Sequence, residues 1–174
     1  MSITPSITLL RHAAVTKELQ GCYLGWSDVN IEEQLFDETK AATLRETHFD
    51  IIISSDLMRC TQTLDKLDKV FTIDKRLREV KFKAKIEGKR FSDIEKLQSY
   101  HPLYLESETT WHTYICEETQ VLFHKRIEDF LATLPKDKEI LICTHAGSIK
   151  VMMDILGKKV ETLKYLEYRT YELQ

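Results

Sequence analysis

Two histidines and two arginines carry the chemistry of this chain. His12 directly follows Arg11, His145 stands in Thr144-His145-Ala146-Gly147, and Arg59 lies within Ser54-Ser55-Asp56-Leu57-Met58-Arg59-Cys60-Thr61-Gln62-Thr63. A guanidinium forks onto two oxygens of a phosphate and keeps its charge at any working pH. A neutral imidazole is a competent nucleophile near neutrality. Brought together, these four side chains would bind a phosphoryl group and attack its phosphorus without a metal. Singly, each has a plainer explanation. A histidine after a strand is more often a hydrogen-bonded structural residue, and an arginine on a helix is usually a surface charge. The case therefore rests on whether the fold gathers them.

Three short apolar runs read as parallel strands covered on both faces: Ile7-Thr8-Leu9-Leu10, Phe49-Asp50-Ile51-Ile52-Ile53 and Glu139-Ile140-Leu141-Ile142-Cys143. Helical patterns follow the second run, over Leu57 to Leu64, and the third, from Ser148 to Leu156 with Gly157 as C-cap. A further helix from about Glu117 carries Phe123, Ile127, Phe130, Leu131 and Leu134 at helical spacing and stops at Pro135. The alternation predicts an α/β three-layer sandwich with a mostly parallel central sheet flanked by helices. Such sheets bind ligands beyond the carboxyl ends of their strands. Arg11-His12, Ser54-Ser55-Asp56 with Arg59, and Thr144-His145 stand at those ends, and two of the positions also open helices, whose free N–H groups favour an anion.

Bulk composition narrows the class. A chain of 174 residues, 43% hydrophobic, predicts a single domain over residues 1–174. The stretch at about 80–116 is charged, holds Pro102, Tyr100, Tyr104 and Trp111, and reads as a cap-like insertion over the sheet. A net charge of -3 gives no basic surface for a nucleic-acid or membrane partner. The opening residues have no basic leader, and no stretch is apolar enough to span a membrane, so a soluble cytoplasmic protein is expected, acting alone or as a homodimer on a small molecule. Cys22, Cys60, Cys116 and Cys143 form no CxxC pair, and no carboxylate cluster suits magnesium, so neither a metal nor a cofactor is expected.

On these residues the chain resembles the histidine phosphatase superfamily, the phosphoglycerate mutase-like fold, from Leu9 nearly to the C-terminal region. Leu10-Arg11-His12 is similar to that family's Arg-His-Gly signature. Ser54 to Thr63 is similar to its Ser-Ser-x-Leu-x-Arg-x-x-Gln-Thr block, the most specific of the matches. Leu77-Arg78-Glu79, with Phe82 and Glu87-Gly88 after it, resembles the segment carrying the acid. Thr144-His145-Ala146-Gly147 resembles the second-histidine motif, and Glu118-Thr119 followed by Arg126 resembles the opening of the helix before the last strand. The resemblance implies His12 as the nucleophile that becomes phosphorylated. Arg11 and Arg59, with His12 and His145 beside them, would hold the phosphoryl oxygens. His145 would stabilise the transferring group, and Glu79 would be the general acid and later the base.

The chain also departs from the family pattern. Ala13 stands where the family has Gly, and Ala14-Val15-Thr16-Lys17-Glu18 replaces a Glu-Thr-x-x-Asn continuation. The segment after Glu79 is one residue longer, which makes Glu79 the acid whose setting differs most. Together with GCYLGWSDVNI over residues 21–31, the Ala-Ala-Val sequence resembles the α-ribazole phosphatase branch, enzymes of cobalamin biosynthesis that dephosphorylate a benzimidazole nucleotide. Ordinary packing is the alternative account of Tyr23 and Trp26. A phosphoglycerate mutase-like enzyme would carry longer insertions, a protein phosphohistidine phosphatase generally lacks the acid segment, and a non-catalytic phospholigand-binding protein would not need both histidines, both arginines and an acid.

Overall fold

The computed structural model describes residues 4–173. Among these the strands are β1 (Ser6–Arg11), β2 (Ile51–Ser54), β3 (Thr72–Ile73), β4 (Glu139–Thr144) and β5 (Tyr168–Glu172), ordered β3-β2-β4-β1-β5 across one sheet. The first four are mutually parallel, and β5 closes the edge antiparallel to β1. The helices are α1 (Glu38–Glu46), α2 (Met58–Lys66), α3 (Phe91–Ile94), α4 (Glu108–Ile115), α5 (Gln120–Leu131) and α6 (Ala146–Ile155). All three strands expected from the sequence are present, and β3 and β5 are additions.

Side-chain alternation builds two cores from one sheet. Ile7 and Leu9 of β1 join Ile140 and Ile142 of β4 beneath Phe123, Ile127, Ile149 and Met152 of α5 and α6. Leu10, Leu141 and Cys143 point the other way, to Ala41 and Leu44 of α1 and Cys60 and Leu64 of α2. Consecutive residues such as Leu9 and Leu10 are both fully buried, which is why these strands read as continuous apolar runs. Truncation of a leucine so placed costs on the order of 2–5 kcal/mol.

The crossovers create the site. β1 and β4 are paired neighbours, yet the chain leaving β1 runs to α1 on one face while the chain leaving β4 runs to α6 on the other. A crevice opens between diverging connections at such a switch point, and Arg11 and Thr144 are register partners at its lip.

Residues 80–116 contain α3, a 3-10 turn over Pro102–Leu105 and α4, and an antiparallel bridge between Phe82 and Cys116 ties the two ends of the segment together. Its aromatics pack on one another, with Tyr104 and Tyr114 stacked at 4.3 Å and Trp111 5.7 Å from Tyr114. No helix among the described residues is long and apolar enough to cross a membrane.

Candidate active site

The carboxyl ends of β1 and β4, with Arg59 of α2, border a cavity of about 170 Å3. Arg11, His12, Arg59, Glu79 and His145 all line it, so the structure brings together every side chain singled out above. The remaining wall is largely apolar, with Tyr23, Leu24, Phe82 and Tyr165. That volume encloses a phosphoryl group and the first atoms of its leaving group, being smaller than the roughly 300–1,000 Å3 of a pocket that engulfs a drug-sized ligand.

The His12 backbone N–H donates to Thr144 O at 3.1 Å, continuing the β1–β4 ladder by one residue, and its ring lies 5.3 Å from that of His145. His12 Nδ1 is 2.8 Å from Ala13 O; a carbonyl only accepts, so the proton is on Nδ1 and Nε2 keeps its lone pair. Burial pushes the His12 ring well below the ordinary histidine range, and the Arg59 charge pushes it the same way. His145 is displaced likewise, by burial first and then by Arg59 and His12. Both rings are therefore neutral near pH 7.

His145 Nε2 lies 3.0 Å from Ser55 Oγ, which itself accepts from Leu57 N–H at 3.4 Å. With the Ser55 hydroxyl donating to Nε2, the ring proton sits on Nδ1. Among the described residues, His145 Nδ1 and Arg11 Nε are buried side-chain nitrogens with no hydrogen-bond partner. An unpaired buried donor costs about 1–3 kcal/mol. An oxyanion in the cavity would satisfy both.

The arginines are held rather than free. Arg11 Nη1 donates to Leu163 O at 2.7 Å, and its guanidinium lies 4.1 Å from the centre of the Tyr165 ring. Arg59, 1% exposed, donates to Ser27 O at 2.7 Å and Gly25 O at 2.9 Å. Its charge faces the cavity while its outer N–H groups fix the loop that carries Tyr23 and Leu24.

Among the described residues, Glu79 is the one carboxylate lining the cavity. Its Oε2 accepts Gly147 N–H in the first turn of α6 at 2.8 Å, and Oε1 accepts Val80 N–H at 2.9 Å. A Cβ at Gly147 would overlap this carboxylate, which accounts for the glycine of the His-Ala-Gly segment. Behind Glu79, Arg126 forks onto Glu118 at 2.8 Å and donates to the carbonyls of Arg76 and Arg78, while Trp26 Nε1 donates to Glu79 O at 2.9 Å. The extra residue in the following loop leaves Glu79 in the cavity. Glu87 instead turns away to accept from Gly25 N, Ser27 N and Ser27 Oγ.

One cavity residue left no signal in the sequence. Tyr165 lies between Arg11 and His12, 5.7 Å from the His12 ring, placed there by a turn at Leu166 with φ of +57°. A leucine in that region is uncommon and marks a constrained segment. Tyr100, Tyr104 and Trp111, by contrast, stand outside the cavity lining, whose aromatic residues are Tyr23, Phe82 and Tyr165, although Trp111 packs behind Tyr23 at 6.1 Å. Among the described residues, no group of three or more His, Cys, Asp or Glu side chains is placed to hold a metal ion.

The two buried imidazoles predict an acid-sensitive fold. Above about pH 6.5 neither the folded nor the unfolded chain charges these rings, so they add no pH dependence. As pH falls through 6.5 the unfolded chain takes up protons that the folded one refuses, and stability drops until the lower folded values are reached, at up to about 1.4 kcal/mol per pH unit per ring. Urea unfolding of the wild type at pH 8 and pH 5.5 should show this loss, and His145→Gln should reduce it. Equal losses in both proteins would mean that His145 is not held neutral.

Comparison with known proteins places the whole. A model of the histidine phosphatase superfamily (branch 1) matches residues 7–173. No curated protein sequence matches the chain. Among solved structures, TTHB049 from Thermus thermophilus is 20% identical, with a TM-score of 0.70 over 95% of this chain and 92% of that one. Mycobacterial glucosyl-3-phosphoglycerate phosphatase Rv2419c is also 20% identical, with a TM-score of 0.74 over 97% of this chain and 90% of that one. These likenesses establish the fold, and with the family match running from β1 through β5, the chain belongs to the histidine phosphatase superfamily.

Proposed function

We propose that this protein is a phosphomonoester phosphatase that acts through a phosphohistidine on His12 and needs no metal. The observation carrying this reading is the tautomer of His12: its proton is held on Nδ1 by Ala13 O, leaving an uncharged Nε2 lone pair in a cavity with two guanidiniums. Nε2 attacks phosphorus, the N–P bond forms as the P–O bond to the leaving group breaks, and Glu79 gives its proton to the departing oxygen. Water then attacks the phosphohistidine, its proton passes to Glu79, the N–P bond breaks, and inorganic phosphate leaves. Arg11, Arg59 and His145 Nδ1 stabilise the charge on the equatorial oxygens in both steps.

For the substrate, α-ribazole 5'-phosphate is the specific candidate, supported by the GCYLGWSDV segment and by the aromatic wall of Tyr23, Phe82 and Tyr165 beside the cavity. The four cysteines are free, as suits the cytoplasm.

The intermediate is tested by brief exposure to substrate, alkaline quench and mass spectrometry. Phosphate should be found on His12, activity should survive excess EDTA, and vanadate should inhibit. Turnover by His12→Ala, or loss on chelation with recovery on adding a divalent ion, would overturn the mechanism.

Glu79 is isolated by leaving-group chemistry. An alkoxide is strongly basic and gains on the order of 10²–10⁴ in rate from a positioned acid, whereas nitrophenolate gains little. Glu79→Gln should therefore slow phosphoenzyme formation from alkyl phosphates far more than from p-nitrophenyl phosphate in pre-steady-state measurements. Equal losses would make Glu79 a structural anchor of α6 and not the donor.

The substrate assignment predicts a higher kcat/KM for α-ribazole 5'-phosphate than for simple sugar phosphates. If the panel ranks them alike, the branch assignment fails while the phosphatase reading stands.

A further inference from the structure

The positive charge in the cavity is already allocated. Arg11 and Arg59 are the cationic side chains that line it. Both are anchored at its floor by backbone carbonyls, Arg11 on Leu163 and Arg59 on Gly25 and Ser27. Their geometry suits one phosphoryl group next to His12. Among the described residues, the rest of the wall offers a substrate no further cation: Tyr23 packs edge-on against Phe82 at 5.4 Å, and Tyr165 covers the Arg11 guanidinium.

A leaving group with its own carboxylate or phosphate next to the ester would have to desolvate that charge against aromatic faces with no cation to pair it. An uncharged leaving group meets no such penalty. The small enclosed volume makes this selection act on the atoms nearest the phosphoryl group and leaves the outer part of the substrate in solvent.

We propose that the site selects phosphomonoesters whose leaving group bears no second negative charge close to the ester oxygen, and that the cation-free aromatic wall of Tyr23, Phe82 and Tyr165 imposes that selection. The inference rests on the phosphatase reading above and narrows its substrate class to singly phosphorylated, otherwise uncharged alcohols. It separates this site from one built for phosphorylated hydroxy acids or bisphosphates, since specificity comes as much from what a wall leaves unpaired as from what it binds.

Two small esters of nearly equal shape test it: 2-phosphoglycolate, with a carboxylate beside the ester carbon, and its neutral amide, phosphoglycolamide. The amide should have the higher kcat/KM by about tenfold or more. Cys22→Arg places a cation on the cavity lining at a side chain whose thiol makes only a long contact, 3.5 Å to Glu18 O, and it should narrow the ratio by favouring phosphoglycolate. The ratio is internal to each protein, so a partial loss of folded enzyme does not affect it. Equal kcat/KM for the two esters in the wild type overturns the selection and leaves the phosphatase reading intact. Turnover of neither ester, nor of p-nitrophenyl phosphate, counts against the phosphatase reading. In that event calorimetric affinities of the two esters decide the selection by the same tenfold criterion.

Discussion

Two guanidiniums and two imidazoles share one small cavity only if the imidazoles stay uncharged. That constraint organises the site. Burial of His12 and His145 lowers their affinity for protons, and Arg59 reinforces the effect on both. A neutral imidazole then needs its one proton assigned. For His12 the assignment is made by Ala13 O, which leaves Nε2 free, and for His145 by Ser55, which leaves Nδ1 as a donor. His12 and His145 thus differ in which nitrogen carries the proton and not in charge, although their rings are only 5.3 Å apart.

The first turns of α2 and the loop before it act as the hub that maintains this arrangement. Ser55 orients His145, and Asp56 forks onto Arg78 at 2.6 and 2.7 Å, holding the residue next to Glu79. Arg59 binds the loop at Gly25 and Ser27, Gln62 accepts Ile31 N–H at 2.9 Å, and Thr63 Oγ1 accepts Ala13 N–H at 2.8 Å. The side chains of this one block therefore reach different parts of the site. This explains physically why the block is a distinctive segment of the chain: Ser55, Asp56, Arg59, Gln62 and Thr63 each have a partner of their own, and packing alone would have tolerated many substitutions.

Much of this was legible because parallel strands buried on both faces leave continuous apolar runs, and because functional residues collect at their ends. Leu9-Leu10 and Ile140 to Cys143 announced the two central strands, and Arg11-His12 and Thr144-His145 marked their crevice. The helix α1 left little trace, since it buries only Ala41 and Leu44 and is otherwise polar. β3 has two exposed residues, and β5 is an edge strand of mixed character, so neither forms a strong pattern. Tyr165 was hidden for a different reason. Its position depends on the turn at Leu166, whose N–H reaches back across most of the chain to Arg11 O at 3.2 Å, and local sequence does not encode such a contact. The aromatic residues that did stand out, Tyr100, Tyr104 and Trp111, pack against the core on one face of the sheet and stand outside the cavity lining.

The loop at residues 24–27 joins the arginine side of the cavity to its apolar wall. Arg59 takes its carbonyls from one side, and Glu87 takes the N–H groups of Gly25 and Ser27 from the other. Gly25 fits between them because any Cβ would come within 2.6 Å of Val80 O. With donors and acceptors both occupied, the loop has no easy alternative conformation. It holds Tyr23 and Leu24 against the cavity as firmly as the floor holds its arginines. The same guanidinium that lines the cavity thereby fixes the apolar wall beside it, and under the function proposed above a change that weakens Arg59 would loosen discrimination among leaving groups along with phosphate affinity. Charge and apolar wall in this cavity are thus positioned by one set of hydrogen bonds.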